Sequence, residues 1–133
     1  MFQFFKKAAA RKWVPVTWTF LTVVLLCLPG AALPGGGLFK IPHFDKYIHI
    51  LLFGGIVWLW VLYCDSRLHD HLLPFSKIIV IVCLTVALGI LLEFVQLNFI
   101  PNRSFDIGDI YANAGGSLLA AVFAAITPTW RRK

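Results

Sequence analysis

Four long apolar stretches dominate this chain, and stretches of that kind have few stable destinations. Trp13 to Leu33 runs for 21 residues without a charge. Tyr47 to Cys64 runs for 18, with His49 its one strongly polar residue near the start. Ile78 to Leu92 is uncharged, and its pattern continues to Phe99. Ile107 to Ile126 is apolar apart from Asp109 and Asn113 near its start. A membrane-crossing helix needs about 20 mainly apolar residues, and only structures that satisfy their own backbone hydrogen bonds tolerate the hydrocarbon core. The expectation is a compact all-α bundle of four transmembrane helices, at about 13–33, 45–64, 76–99 and 107–127. They form one domain over residues 1–133. Composition agrees: 59% of residues are hydrophobic and 14% charged, against about 25% charged in soluble domains.

The charges orient the bundle. Basic residues collect in cytoplasmic segments. With four spans, both termini share a side with the 65–77 loop. That side carries Lys6, Lys7, Arg11, Lys12, Arg67, Lys77, Arg131, Arg132 and Lys133, nine of the twelve basic residues. The other side carries Lys40, Lys46 and Arg103. Both termini are therefore expected in the cytoplasm, in a multi-pass protein of a bacterial cytoplasmic membrane. The competing reading is a signal peptide over Met1 to Ala32, with a basic start and small residues at Gly30–Ala32; its apolar stretch is longer than the usual h-region. The five tryptophans tend towards helix ends, as interfacial aromatics do. Cys27, Cys64 and Cys83 have no C-x-x-C spacing and read as ordinary helix residues.

Polarity is not spread evenly over this frame. Asp45, Lys46 and His49 open the second helix. Glu93 and Gln96 close the third. Asp106, Asp109 and Asn113 open the fourth, and Arg103 lies on the short loop between. All of these ends face away from the cytoplasm. Asp45 and His49 are spaced i,i+4, Glu93 and Gln96 i,i+3, and Asp106, Asp109 and Asn113 i,i+3,i+7, so each set forms one stripe on its helix. Polar groups in a membrane are costly and face the bundle interior or a wet cavity. Three such stripes are best satisfied by facing each other across an outward-facing polar pocket. Arg103 is the expected partner for Glu93, for an aspartate or for an anionic ligand. Ala112, Gly116 and Ala120, with Gly115 and Ala121 beside them, make a smooth strip for close helix packing; Gly54-Gly55 on the second helix is similar.

The stretches "FDKYIHILLFGG" and "EFVQLNFIPNRSFDIGDIYANAGGSLLA" resemble the VanZ-like family, with its E-x-x-Q, R-x-x-D-x-x-D and N-x-x-G pattern in that order. The family positions fall on Asp45, Lys46, His49, Glu93, Gln96, Arg103, Asp106, Asp109 and Asn113. The resemblance implies a small polytopic membrane protein; the family takes its name from a glycopeptide-resistance accessory protein linked to teicoplanin. It supplies no molecular activity.

With the resemblance, two classes of function remain, and a purely structural or accessory role is the third. In one, the pocket binds an amphiphile: a membrane lipid, a lipid-linked envelope precursor or a lipophilic glycopeptide tail. In the other, it is an active site for acid–base transfer or hydrolysis on such a molecule. Glu93, His49 and Asp109 are then the candidate catalytic groups, and Ser104 the only nucleophile. Asp106 or Ser104 also suits the N-cap of the last helix. His49 with Asp45 could form an acid–base pair or a structural hydrogen bond. No cofactor is evident, and a divalent cation at Glu93, Asp106 and Asp109 is the minority alternative. Haem is disfavoured, since no two histidines sit at matching depths. No G-x-S-x-G, H-E-x-x-H or P-loop pattern occurs. The basic termini suit anionic lipid, not nucleic acid.

Overall fold

The computed structural model describes residues 11–29, 42–68 and 71–127. They are all-helical: α1 (Trp13–Leu26), α2 (Phe44–Arg67), α3 (Phe75–Phe99) and α4 (Ile107–Ile126). The last three are long and apolar enough to cross a membrane, while α1 is a shorter apolar helix. The expected bounds of α2, α3 and α4 agree with those found to within three residues.

The first helix differs. A 21-residue span is expected there, and α1 is 14 residues long, about 21 Å at 1.5 Å per residue, against a hydrocarbon core of about 30 Å. It stops at Leu26, just before the Leu28-Pro29 pair. Proline pushes the residue before it out of the α region, so this apolar run is not all helix. The rest of the expected span, and the first ten residues, lie outside the described residues.

Proline also shapes the α3–α4 connection. Ile100, ahead of Pro101, is extended at φ −108°, ψ 116°, and Asn102 turns the chain at φ 59°. Asp106 starts α4: its Oδ1 accepts the Gly108 N–H at 2.7 Å. The alternation of direction brings the start of α2, the end of α3 and the start of α4 to one end of the molecule.

α2 packs most extensively against α4, and small residues are the reason. A Cβ on Gly54 would lie 3.1 Å from the Gly116 carbonyl oxygen. One on Gly116 would lie 2.8 Å from Ile50 Cα and closer still to the Ile50 oxygen. The helices therefore cross backbone to backbone at this point. Gly115, by contrast, has nothing within 4 Å of its Cβ position, so the close-packing strip is narrower than the sequence suggests.

Away from the polar end, Val57, Val61, Ile78, Val82, Ala121 and Ala124 form a dry core. A second cluster joins Leu26, Phe53 and Leu92. Phe20, Leu51, Leu84, Leu91, Leu119 and Val122 point outward with more than half of their surface exposed, as lipid-facing residues do. Two tryptophans also act between helices. Trp18 Nε1 donates to the Leu52 carbonyl at 3.0 Å, and Trp60 Nε1 donates to Thr19 Oγ1 at 3.2 Å. Both fasten α1 to α2.

Candidate functional site: a polar cluster at one end of the bundle

The cluster is built chiefly across the α2–α4 crossing. Lys46, in the first turn of α2, reaches over to α4. Its Nζ donates to Asp106 Oδ2 at 2.7 Å and to Asp109 Oδ1 at 3.0 Å, with Asp45 Oδ2 more distant at 3.5 Å. One turn deeper, His49 Nδ1 lies 2.8 Å from Asn113 Oδ1, and Nε2 faces Asp109 Oδ2 at 3.5 Å. From α3, Glu93 Oε2 accepts the Asp106 backbone N–H at 3.2 Å. Glu93 is 1% exposed, His49 3% and Asp109 6%, whereas Asp45 is exposed and Asp106 half-exposed. The site therefore has a wet rim and a dry floor.

Backbone space makes this possible. A Cβ on Gly108 would lie 2.8 Å from Lys46 Cε and 2.9 Å from its Nζ, so in this arrangement the ammonium uses the room that the missing side chain leaves at the start of α4. A Cβ on Gly89 would lie 2.7 Å from Asn113 Nδ2 and 2.9 Å from Phe53. Neither glycine stands out in the sequence reading. The signal for Gly108 was its position between two aspartates in the first turn of a helix.

The Lys46 ammonium, with the Gly108 N–H, holds the Asp106 carboxyl below the usual carboxylate range. The same two groups give Asp106 a double role as N-cap and as ion-pair partner. Ser104 is exposed and is not the cap.

Several expected partnerships are replaced. Arg103 is not the cation of the cluster: among the described residues it forms no ion pair, its buried Nε has no hydrogen-bond partner, and Lys46 takes the role. The reason is direction, since Lys46 rises from the facing helix straight into the aspartates. His49 bonds Asn113 and faces Asp109 of α4, and does not pair with Asp45 on its own helix. Gln96 is buried but serves α1, donating from Nε2 to the Leu26 carbonyl at 2.8 Å. It satisfies a carbonyl that the end of α1 leaves free.

The minority metal set also changes. Asp106 is spent on Lys46 and Gly108, so it does not join Glu93 and Asp109 in the dry floor. The groups whose ligand atoms lie within 4.8 Å of one another are His49, Glu93 and Asp109, and separately Asp45, Asp106 and Asp109. In the second group the Lys46 ammonium already pairs with all three. Chemically, the floor can hold a cation or a proton between carboxylates, and the rim can meet a polar head group.

One buried carboxylate was missed. Asp65, 4% exposed, lies at the opposite end of α2 and accepts the Leu73 N–H at 2.6 Å, closing the α2–α3 connection. No family model, curated protein or solved structure matches the chain.

Proposed function

We propose that this is a multi-pass protein of a bacterial cytoplasmic membrane, of VanZ-like type. Its polar end faces outward and binds the head group of an amphiphile, either a membrane lipid or a lipid-linked envelope molecule. The observation that carries this reading is Arg103. Arg103 lies three residues before Asp106 on the loop that leads into the polar end, yet among the described residues it forms no ion pair, and its Nε is buried without a partner. A buried donor left unmade costs about 1–3 kcal/mol, so a ligand oxygen that meets it gains that much. A guanidinium presents a planar fork to phosphate or carboxylate, and the exposed Phe99, Phe105, Ile107 and Tyr111 on the neighbouring stretches of chain suit the adjoining lipid. A contribution to tolerance of teicoplanin-type glycopeptides follows from the same reading, as a consequence of holding an envelope molecule.

The test is native mass spectrometry of gently extracted protein. The expected result is a co-purifying anionic amphiphile that is retained by the wild type and lost from Arg103→Gln, with Arg103→Lys intermediate. Equal retention in all three proteins refutes the reading. A hydrolytic variant of the same proposal draws on His49, which is buried against Asp109 and suited to general-base work.

A further inference from the structure

We infer that His49, Glu93 and Asp109 form a binding site for one divalent transition-metal ion, with His49 Nε2, Asp109 Oδ2 and Glu93 Oε1 as its three protein ligands.

The argument begins with what each side chain has left over. His49 uses Nδ1 on Asn113 Oδ1. A carbonyl oxygen can only accept, so Nδ1 carries the hydrogen, and neutral imidazole then presents a bare lone pair at Nε2. Asp109 gives Oδ1 to Lys46 and keeps Oδ2. Glu93 gives Oε2 to the Asp106 N–H and keeps Oε1, which is buried with no hydrogen-bond partner. Each ligand has one atom fixed by an outside donor or acceptor and one atom free. That division of labour is how metal-binding histidines and carboxylates are held: the second nitrogen donates to a carbonyl, and the second oxygen takes a hydrogen bond.

The spacing agrees. Nε2 and Oδ2 are 3.5 Å apart, beyond the usual 2.7–3.2 Å of an N–H···O bond. A metal with bonds of about 2.0–2.1 Å at tetrahedral angles separates its ligand atoms by about 3.4 Å. The three residues each offer an atom within 4.8 Å of the others, close enough to converge on one ion with little movement.

Charge points the same way. Glu93 and Asp109 are both buried, and Lys46 is already shared with Asp106 on the rim. Buried carboxylates are paired or coordinate a metal. A dication matches their charge, and one imidazole with two carboxylates suits zinc, manganese or ferrous iron better than calcium, which prefers all-oxygen sites. Three protein ligands leave a fourth position open for water or a substrate oxygen. The inference rests on the cluster alone and holds whatever molecule Arg103 engages.

The test uses metal-stripped, detergent-purified protein titrated with Co2+ and, separately, Zn2+. The expected result is one equivalent bound, with the strong visible absorption of tetrahedral Co2+ that Zn2+ abolishes. Glu93→Gln, Asp109→Asn and His49→Gln should each weaken binding at least tenfold. Asn113→Ala, which removes the orienting carbonyl and no proposed ligand, should weaken it about 10–100-fold. His71→Gln, on the exposed α2–α3 connection, should bind as the wild type does. Helicity and monodispersity identify variants that have merely unfolded; for those, the wild-type titration and spectrum decide. A wild type that binds no Co2+, or binds it as tightly after Glu93→Gln in a folded protein, overturns the site.

Discussion

Replacing Gly116 with alanine should separate α2 from α4 and dismantle the polar cluster one turn away. The new Cβ would lie 2.8 Å from Ile50 Cα and would also crowd the Ile50 carbonyl. Carbon atoms in ordinary contact sit about 3.5–4.0 Å apart, so the deficit is about 1 Å. The obstacle is backbone and has no rotamer through which to yield; the helices themselves must part. Parting by about that much would stretch the bonds from His49 to Asn113, now 2.8 Å, and from Lys46 to Asp109, now 3.0 Å, past hydrogen-bond range. Overpacking costs about 1–3 kcal/mol, and each buried polar group stranded adds about 1–3 kcal/mol. With one group stranded per broken bond, the total is about 3–9 kcal/mol. Reversible unfolding in mixed micelles of rising denaturing-detergent fraction, followed by far-ultraviolet circular dichroism, reads this as a lower midpoint. Gly115→Ala is the matched control: nothing lies within 4 Å of its Cβ position, and alanine's helix preference gives up to about 1 kcal/mol of stabilisation. If Gly116→Ala unfolds at the same midpoint as Gly115→Ala, the backbone crossing is not where the structure puts it.

Lys46→Met should leave Asp109 buried beside an apolar chain and lose about 1.5–3 kcal/mol, the worth of a hydrogen bond to a charged group, in the same unfolding assay. Asp106 carries a pH dependence. Its carboxyl is depressed by Lys46 and the Gly108 N–H, so its contribution is complete above about pH 4, the ordinary aspartate value, and is lost as pH falls through the depressed value. Unfolding midpoints of wild type and Asp106→Asn should therefore converge in acid and diverge above it. Gly89→Ala should push against the Asn113 amide, 2.7 Å from the new Cβ, and shift the His49 ring resonances in nuclear magnetic resonance spectra while leaving those of His71 in place. Reporter fusions after Asn102 should read as external, and fusions in the α2–α3 connection as internal.

The helical frame was legible because an apolar run and its charged flanks report length and boundary directly, and α2, α3 and α4 have both. α1 was overread because apolar character persists through Leu28-Pro29, where backbone sterics, not hydropathy, end the helix. The gathering of Asp45, Lys46, His49, Glu93, Asp109 and Asn113 at one end followed from counting turns and spans. Which of them touch did not. Spacing places a residue on a face, but the reach of a long side chain depends on the distance and tilt of the facing helix. Lys46 therefore took the part expected of Arg103. Gln96 shares a turn with Glu93, yet it turns to α1, because the free carbonyl of Leu26 exists only where that helix happens to stop. Gly89 and Gly108 act through the volume they leave empty, and only Gly108, set between Asp106 and Asp109 at a helix start, carries a hint of this in the sequence.

The separation of the cluster's partners along the chain has a consequence for how the protein is made. Lys46 precedes Asp106 by 60 residues, and His49 precedes Asn113 by 64. At a synthesis rate of about 5–20 residues per second, α2 waits on the order of 3–13 seconds for α4 to leave the ribosome. During that interval its ammonium and imidazole have no partner, and α3 brings only Glu93. The placement of Asp45, Lys46 and His49 in the first two turns of α2 makes the wait tolerable, because a long side chain near a helix end can bend its polar tip into the interfacial water. The same residues at the middle of α2 would stall in hydrocarbon. A polar end so placed lets a newborn helix keep its polar groups hydrated until its partner exists.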